Sequence, residues 1–247
     1  MATISGDQIQ AAVEEFWFKR DEQTARLPDG GAAGGAARAG GHIGGFERVV
    51  KQLFVEAGVP ESSIYVGTPT LPGHYRVAKQ WDLVVIYEGN LVAAIEFKSQ
   101  VGSVGKNYNN RFEEALGSAT DVHAAQQEFE PFGQMSAWLG YVFILQESTE
   151  TERPLRPART LFPPDRVFEG LTYSQRYQTM IQRFFNHKVY QGGWFLTTKR
   201  DPDGGVSYDE PMANACAATF AAEIVGRVNV VMAAVAAEKK RCTKTGR

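Results

Sequence analysis

The chain has 247 residues, 43% of them hydrophobic and 11% aromatic, enough to bury a substantial core in one large domain or two small ones. Its 26 Lys and Arg against 28 Asp and Glu leave a formal charge of −2, which excludes coating of nucleic acid through bulk positive charge but allows a local basic cleft. No run of about 18 to 20 uninterrupted apolar residues marks a membrane span, and MATISGDQIQ lacks the order of a signal peptide, so a cytoplasmic protein without membrane contact is expected.

From Gly6 to about Leu27, Ile9, Ala12, Val13, Phe16 and Phe18 recur at helical spacing. The stretch 29–45, DGGAAGGAARAGGHIGG, is too rich in glycine for a packed element and reads as a loop; it lacks the Lys-Ser/Thr that ends a phosphate-binding loop. FERVVKQLFVEAG (46–58) places Phe46, Val49, Val50, Leu53 and Phe54 on one stripe and Gly58 at its end, the pattern of an amphipathic helix. A strand at Ser63–Val66 and a hairpin over 81–100 follow, then a polar loop from Gly102 to Asn110 and a helix from about Arg111 to Phe129. YVFILQE (141–147) has the continuous apolar character of a central strand. RPLRPARTLFPPDR (153–166) sets four arginines against the single Asp165 in a proline-rich irregular loop. A helix over 172–188, two strands at 193–199 and 205–210, and an Ala-rich helix from Pro211 to about Lys240 complete the chain. One α/β domain is expected, a central mixed β-sheet flanked by helices. Cys216 and Cys242 are too isolated for a disulfide framework and read as reduced thiols.

The hairpin WDLVVIYEGNLVAAIEFKSQ carries three polar groups that its apolar surroundings do not explain: Asp82, Glu96 and Lys98. Side chains alternate along a strand, so Glu96, Lys98 and Gln100 share one face. A three-residue turn at Glu88, Gly89 and Asn90 would pair Tyr87 with Leu91 and put Asp82 opposite Glu96, their β-carbons about 4.5 to 5.5 Å apart. A two-residue turn would shift the pairing by one and send the carboxylates to opposite faces. Two carboxylates that close repel unless a hard cation lies between them, and Mg²⁺, which takes one or two carboxylates together with phosphate oxygens, suits the pair. Lys98 could orient the metal-bound water or stabilise charge on the attacked phosphorus. The competing reading is a hairpin whose polar face meets solvent. The same Glu-x-Lys spacing recurs at Glu238 and Lys240 without a partner strand, so the spacing alone is a weak signal.

Asp, a strand turn and Glu-x-Lys form the signature of the PD-(D/E)XK nuclease superfamily. More narrowly, KQWDLVV, AAIEFKSQVG and NYNNRFEEALGSATD resemble the XhoI family of type II restriction endonucleases, whose members cut the palindrome CTCGAG; Trp81 stands where the superfamily name has proline. The resemblance implies a restriction-endonuclease-like core, Asp82 and Glu96 as ligands of Mg²⁺, and Lys98 as the catalytic lysine. It also implies an acidic residue from a preceding helix, for which Glu47 is the candidate, with Glu14 and Glu15 as rivals. A palindromic double-stranded DNA target matches a homodimer, one subunit per half-site. Arg or Lys suits guanine edges and Asn or Gln suits adenine edges, so Gln100, Lys106, Asn107, Asn109, Asn110 and Arg111 are candidate base readers, and Arg153, Arg156 and Arg159 candidate DNA contacts. A cognate DNA methyltransferase would act on the same site. Histidines 42, 74, 123 and 187 lack paired spacing and receive no catalytic role. A structure-specific repair or recombination nuclease of the same superfamily, and a non-catalytic DNA-binding module, are the other two readings.

Overall fold

The computed structural model describes residues 2–25 and 40–245, so most of the glycine-rich stretch, 29–39, lies outside the described residues. Helix α1 spans Gly6–Ala25 and α2 spans Gly44–Glu56. Contrary to the expectation of a loop as far as residue 45, Gly44 and Gly45 open α2. The reason is packing: a Cβ on Gly45 would lie 3.0 Å from the Cα of Ala12, so the missing side chain lets α1 and α2 touch backbone to backbone. Gly58, at φ +101°, ends the helix as its sequence position suggests.

A six-stranded sheet runs in the order β1 (Ile64–Val66), β4 (Leu83–Tyr87), β5 (Asn90–Gln100), β6 (Leu139–Gln146), β7 (Gly192–Arg200), β8 (Val206–Asp209). The inner pairs β5–β6 and β6–β7 are parallel and the outer pairs antiparallel, so the expected mixed sheet is present and β6 lies at its centre. Two strands absent from the sequence reading, β2 (Thr70–Pro72) and β3 (Ala78–Gln80), form a separate antiparallel arm. Each is only three residues long, too short to show a period.

Two apolar layers enclose the sheet. On one face α1, α2 and α6 (Ala217–Thr245) cover Leu83, Val85, Ile95, Val142, Ile144 and Trp194. On the other, α3 (Val104–Phe129) and α5 (Tyr173–Asn186) cover Val84, Ala94, Tyr141, Phe143 and Phe195. A short helix, α4 (Thr149–Glu152), opens with a Ser148 capping box and leads into the arginine loop. α3 begins seven residues before the expected Arg111, because Gly102 and Ser103 take positive φ and turn the chain directly from β5 into a helix whose Val104 and Tyr108 pack inward. The final helix begins at Ala217 and not Pro211, the intervening residues forming a short turn.

By length and composition α6 could cross a bilayer, but Phe220, Ile224, Val228 and Val231 pack into the core, and Arg227 donates to the carbonyls of Leu91, Val92 and Ser136, each at 2.9 Å. Glu223, half-buried on the same helix, has one carboxylate oxygen with no hydrogen-bond partner among the described residues, and burial pushes its carboxyl up to about 7. A raised carboxyl is neutral without penalty below its unfolded value and costs stability as pH rises through the folded one. Glu223→Gln should therefore leave stability near pH 5 almost unchanged and raise it by about 1 kcal/mol at pH 8, after allowance for solvent screening of a half-exposed group. Denaturant midpoints at the two pH values check this, and equal differences at both would remove the titration from the account.

Candidate active site

The hairpin is built differently from the expectation and reaches the same result. Its turn has two residues, Glu88 and Gly89, both at positive φ, and Tyr87 pairs with Asn90. Left alone, that turn would set Asp82 on the wrong face. The pairing then shifts between Val85 and Ile86: Ile86 lies opposite Leu91, but Val85 lies opposite Ala93. Val92 is the extra residue of a β-bulge, and Val92 and Ala93 both pack into the α1/α2/α6 layer. The bulge restores Leu83 opposite Ile95, and extending that register by one residue sets Asp82 against Glu96. The odd residue that a three-residue turn would have supplied is thus placed within β5.

Glu96 sits on the α3/α5 face, 3% exposed, beside Tyr141 of β6. Lys98 lies one pleat along, its Nζ 2.6 Å from Glu96 Oε1, and the other Glu96 oxygen accepts from Lys79. Lys79, on β3, also lies 4.1 Å over the ring of Trp81. Asp82 Oδ2 accepts from the backbone N–H of Phe97 at 2.7 Å, tying the start of β4 to β5. Asp82, Glu96, Lys98, Lys79 and Arg76 line one cleft of about 370 Å³, with Glu113 and Glu114 of α3 on its far wall.

Charge and burial compete here. Burial pushes the Glu96 carboxyl up, but Lys98 and Lys79 outweigh it and hold the group below the usual carboxylate range. Burial pulls the Lys98 ammonium down, and Glu96 more than reverses this, so Lys98 is held charged. For Lys79 burial wins and its ammonium is the easier of the two to deprotonate. Burial, then Glu96, push Asp82 up against the pull of the Phe97 N–H. Burial, then Asp82, push Glu47 up to about 7. Glu47 lies in the first turn of α2, outside the lining of the cleft but coupled electrostatically to Asp82. Glu15, its rival, pairs instead with Arg48, and Glu14 accepts from Gln10 at 3.0 Å.

The other sequence candidates fall into three groups. Lys106, Asn109 and Asn110 are exposed on the first turns of α3, whereas Asn107 donates to the Ser103 carbonyl at 3.1 Å and Arg111 to Glu114 at 2.9 Å. Gln100 is buried, and its amide donates to the Gly102 carbonyl at 2.5 Å, so it shapes the turn into α3 and does not face solvent. Arg153, Arg156 and Arg159 are exposed, and no carboxylate among the described residues lies within ion-pair distance of them. Asp165 in the same loop is neutralised by Arg183 at 2.5 Å. Glu150, just before the loop, accepts from the Gly105 N–H at 3.2 Å, which brings the loop beside the start of α3. His42 is buried, 2.8 Å from the Ser99 hydroxyl, and His123 meets the Val189 carbonyl at 3.0 Å; neither reaches the cleft.

Among the described residues no three His, Cys, Asp or Glu side chains converge as a ready metal cage. Comparison with known proteins gives the family. Restriction endonuclease XhoI, as a family, matches residues 22–209. The chain belongs to the XhoI restriction endonuclease family. The match takes in the hairpin, α3 and the arginine loop and stops before α6. A type II restriction enzyme, BstVI of Geobacillus stearothermophilus, is 32% identical over 186 residues, covering 72% of this chain and 82% of its own. XhoI of Xanthomonas vasicola is 33% identical over 178 residues, covering 69% and 71%, and AbrI of Azospirillum brasilense 36% identical over 155 residues, covering 59% and 68%. No solved structure matches the chain. As a member of the XhoI family the protein is a site-specific restriction endonuclease, an endodeoxyribonuclease whose substrate is DNA, on a restriction-endonuclease-like core.

Sequence reasoning missed Lys79 and Arg76 as parts of this XhoI-family cleft, and Asp121 as the carboxylate that holds Arg76. Lys79 and Asp121 stand within the stretches that carry the resemblance, but only the β2–β3 arm brings Lys79 to Glu96, and three-residue strands leave no signal.

Proposed function

We propose that this enzyme cuts both strands of double-stranded DNA at CTCGAG, as a Mg²⁺-dependent homodimer in the cytoplasm, the whole chain acting as one nuclease domain. The observation that carries the reading is the bulged hairpin, which sets Asp82, Glu96 and Lys98 together at one cleft in a chain of this family. Asp82 and Glu96 fit a hard cation by the chemistry of their donors: Asp82 spends only one oxygen on the Phe97 N–H, and both groups are oxygen donors. Mg²⁺ needs only one or two protein carboxylates when phosphate oxygens and waters complete its shell, so the absence of a three-carboxylate cage among the described residues is compatible with it. When bound, the ion supplies a more acidic water and positive charge beside the scissile phosphate. Glu47 would add a carboxylate from the α2 side.

The work of the chain's own groups follows. Asp82 and Glu96 would hold the cation, and the Lys98 ammonium, beside Glu96 at 2.6 Å, is placed to hold the nucleophilic water or stabilise the developing charge on the phosphorus. Exposed Lys106, Asn109 and Asn110 on α3, with Asn107 and Arg111 beside them, present the donor and acceptor types that read base edges. Arg153, Arg156 and Arg159 grip phosphates. A cognate methyltransferase protects host copies of the site.

The test is incubation with plasmid DNA carrying CTCGAG and with a site-free plasmid, with Mg²⁺ or chelator, followed by mapping of the ends. Discrete metal-dependent cuts at CTCGAG alone are expected. Cuts at another fixed sequence would keep the chemistry and refute the site, and no cleavage of either plasmid would refute the chemistry.

A further inference from the structure

The arm of β2 and β3 borders the cleft, and its tip, GHYRV (73–77), is held by α3. Asp121 of α3, its side chain 3% exposed, accepts through Oδ1 from the backbone N–H groups of His74 at 2.8 Å and Tyr75 at 2.7 Å. Its Oδ2 accepts from Nε of Arg76 at 2.7 Å, and Arg76 Nη2 reaches the Gly117 carbonyl at 3.4 Å. A Cβ on Gly73 would collide with the same carboxylate. A loop with no duty beyond joining two three-residue strands has no need of a buried carboxylate carrying three donors.

What the carboxylate holds in place faces outward. Tyr75 is 75% exposed and Val77 95% exposed, with the His74 ring edge-on to Tyr75 at 4.7 Å. The Arg76 side chain is 44% exposed and lines the cleft that holds Asp82, Glu96 and Lys98. With Nε on Asp121 and Nη2 toward the Gly117 carbonyl, these two contacts fix the guanidinium plane and leave Nη1 to donate to a phosphate oxygen. At the base of the arm Lys79 pairs with Glu96, so one short element runs from the catalytic carboxylate to an aromatic tip.

We infer that the arm is a DNA-gripping element: Arg76 contacts a backbone phosphate of the strand lying in the cleft, Tyr75 and Val77 rest against the adjoining groove, and Asp121 is the positioning residue that fixes them. The inference rests on the nuclease reading of the cleft. Its partner is the duplex because the Arg76 guanidinium, and not only the apolar tip, opens into the site.

Affinity of the full-length protein for a fluorescent CTCGAG duplex, measured without metal across a series of KCl concentrations, tests it. Arg76→Gln should weaken binding several-fold and reduce the slope of log K against log salt by about 0.9 for each phosphate no longer neutralised. It should also raise KM more than it lowers kcat. Tyr75→Ala with Val77→Ala should weaken binding without changing the slope. Asp121→Asn should reproduce the slope change of Arg76→Gln, a readout that a purely structural role would not move. Wild-type affinity and slope in Arg76→Gln would overturn the inference. So would a lowered melting temperature with an unchanged slope in Asp121→Asn, or dissociation of a dimer in the tip double variant, which would assign the tip to a second copy. If the wild type cuts no plasmid yet Arg76→Gln lowers the slope, the arm stands and the catalytic reading fails.

Discussion

Replacement of Lys98 by alanine is expected to reduce plasmid cleavage by at least about 10² to 10³-fold, the cost of removing one preorganised charge from a phosphoryl or acyl transition state. The fold and duplex affinity should survive. Lys98 lies at the cleft edge of β5, its side chain 23% exposed, so its loss opens no core cavity. Among the described residues its close ion-pair partner is Glu96, at 2.6 Å, and Lys79 remains there to compensate that carboxylate. Lys79→Ala is the informative comparison. Lys79 stacks on Trp81 and is the more easily deprotonated of the two, so it is expected to hold the free site together more than it supplies charge at the reacting phosphorus. The expected order of rates is wild type, then Lys79→Ala, then Lys98→Ala, measured by single-turnover cleavage with binding followed separately. A Lys98→Ala enzyme that cuts at the wild-type rate would remove the lysine from the mechanism.

How much of this site could be read from the sequence depends on the range of the forces that build it. Periodicity identifies α2, α5 and β6, because each buries a continuous apolar face and the pattern is local. The pairing of Asp82 with Glu96 follows from the sequence only through a turn that the protein does not use. Glu88 and Gly89 satisfy a two-residue turn, and the extra residue sits at Val92, where it looks like one more member of an apolar run. Bulges leave no compositional mark when both residues concerned are apolar. The start of α3 is hidden for the opposite reason: Gly105, Asn107, Asn109 and Asn110 are poor helix formers, and the helix exists there because Val104 and Tyr108 bury against α5 and its neighbours. Gly45 illustrates the same point, since glycine read as a breaker is here the contact between two helices. The arm is invisible because its order comes from Asp121, some 45 residues away in sequence.

Glu96→Gln should be destabilising as well as inactivating, and the two effects can be separated. The carboxylate is 4% exposed and is shared by two ammonium groups whose side chains are only 13% and 23% exposed. Its removal takes away the carboxylate that both Lys79 and Lys98 touch and leaves them the weaker pull of Asp82, and breaking a buried ion pair by deleting one partner costs about 3 to 5 kcal/mol. The deficit should depend on pH in a definite direction. The Glu96 carboxyl is held below its ordinary value in the folded state, so its contribution is fully present above the unfolded value and is lost as pH falls through the folded one. The gap between wild type and Glu96→Gln should be widest near neutral pH and narrow in acid. Adding Lys79→Met removes one of the two stranded charges and keeps an apolar chain against the Trp81 ring, so Glu96→Gln with Lys79→Met should recover much of the lost stability. On the proposed metal role of Glu96 it should recover no cleavage, because no carboxylate would remain at 96 to hold a cation. Urea unfolding from pH 8 down to well below the ordinary glutamate range, with cleavage assayed at neutral pH on the same preparations, decides the matter. Cleavage returning together with stability in the double variant would make Glu96 a structural anchor for two lysines, and the metal-binding role would have to pass to Asp82 and Glu47.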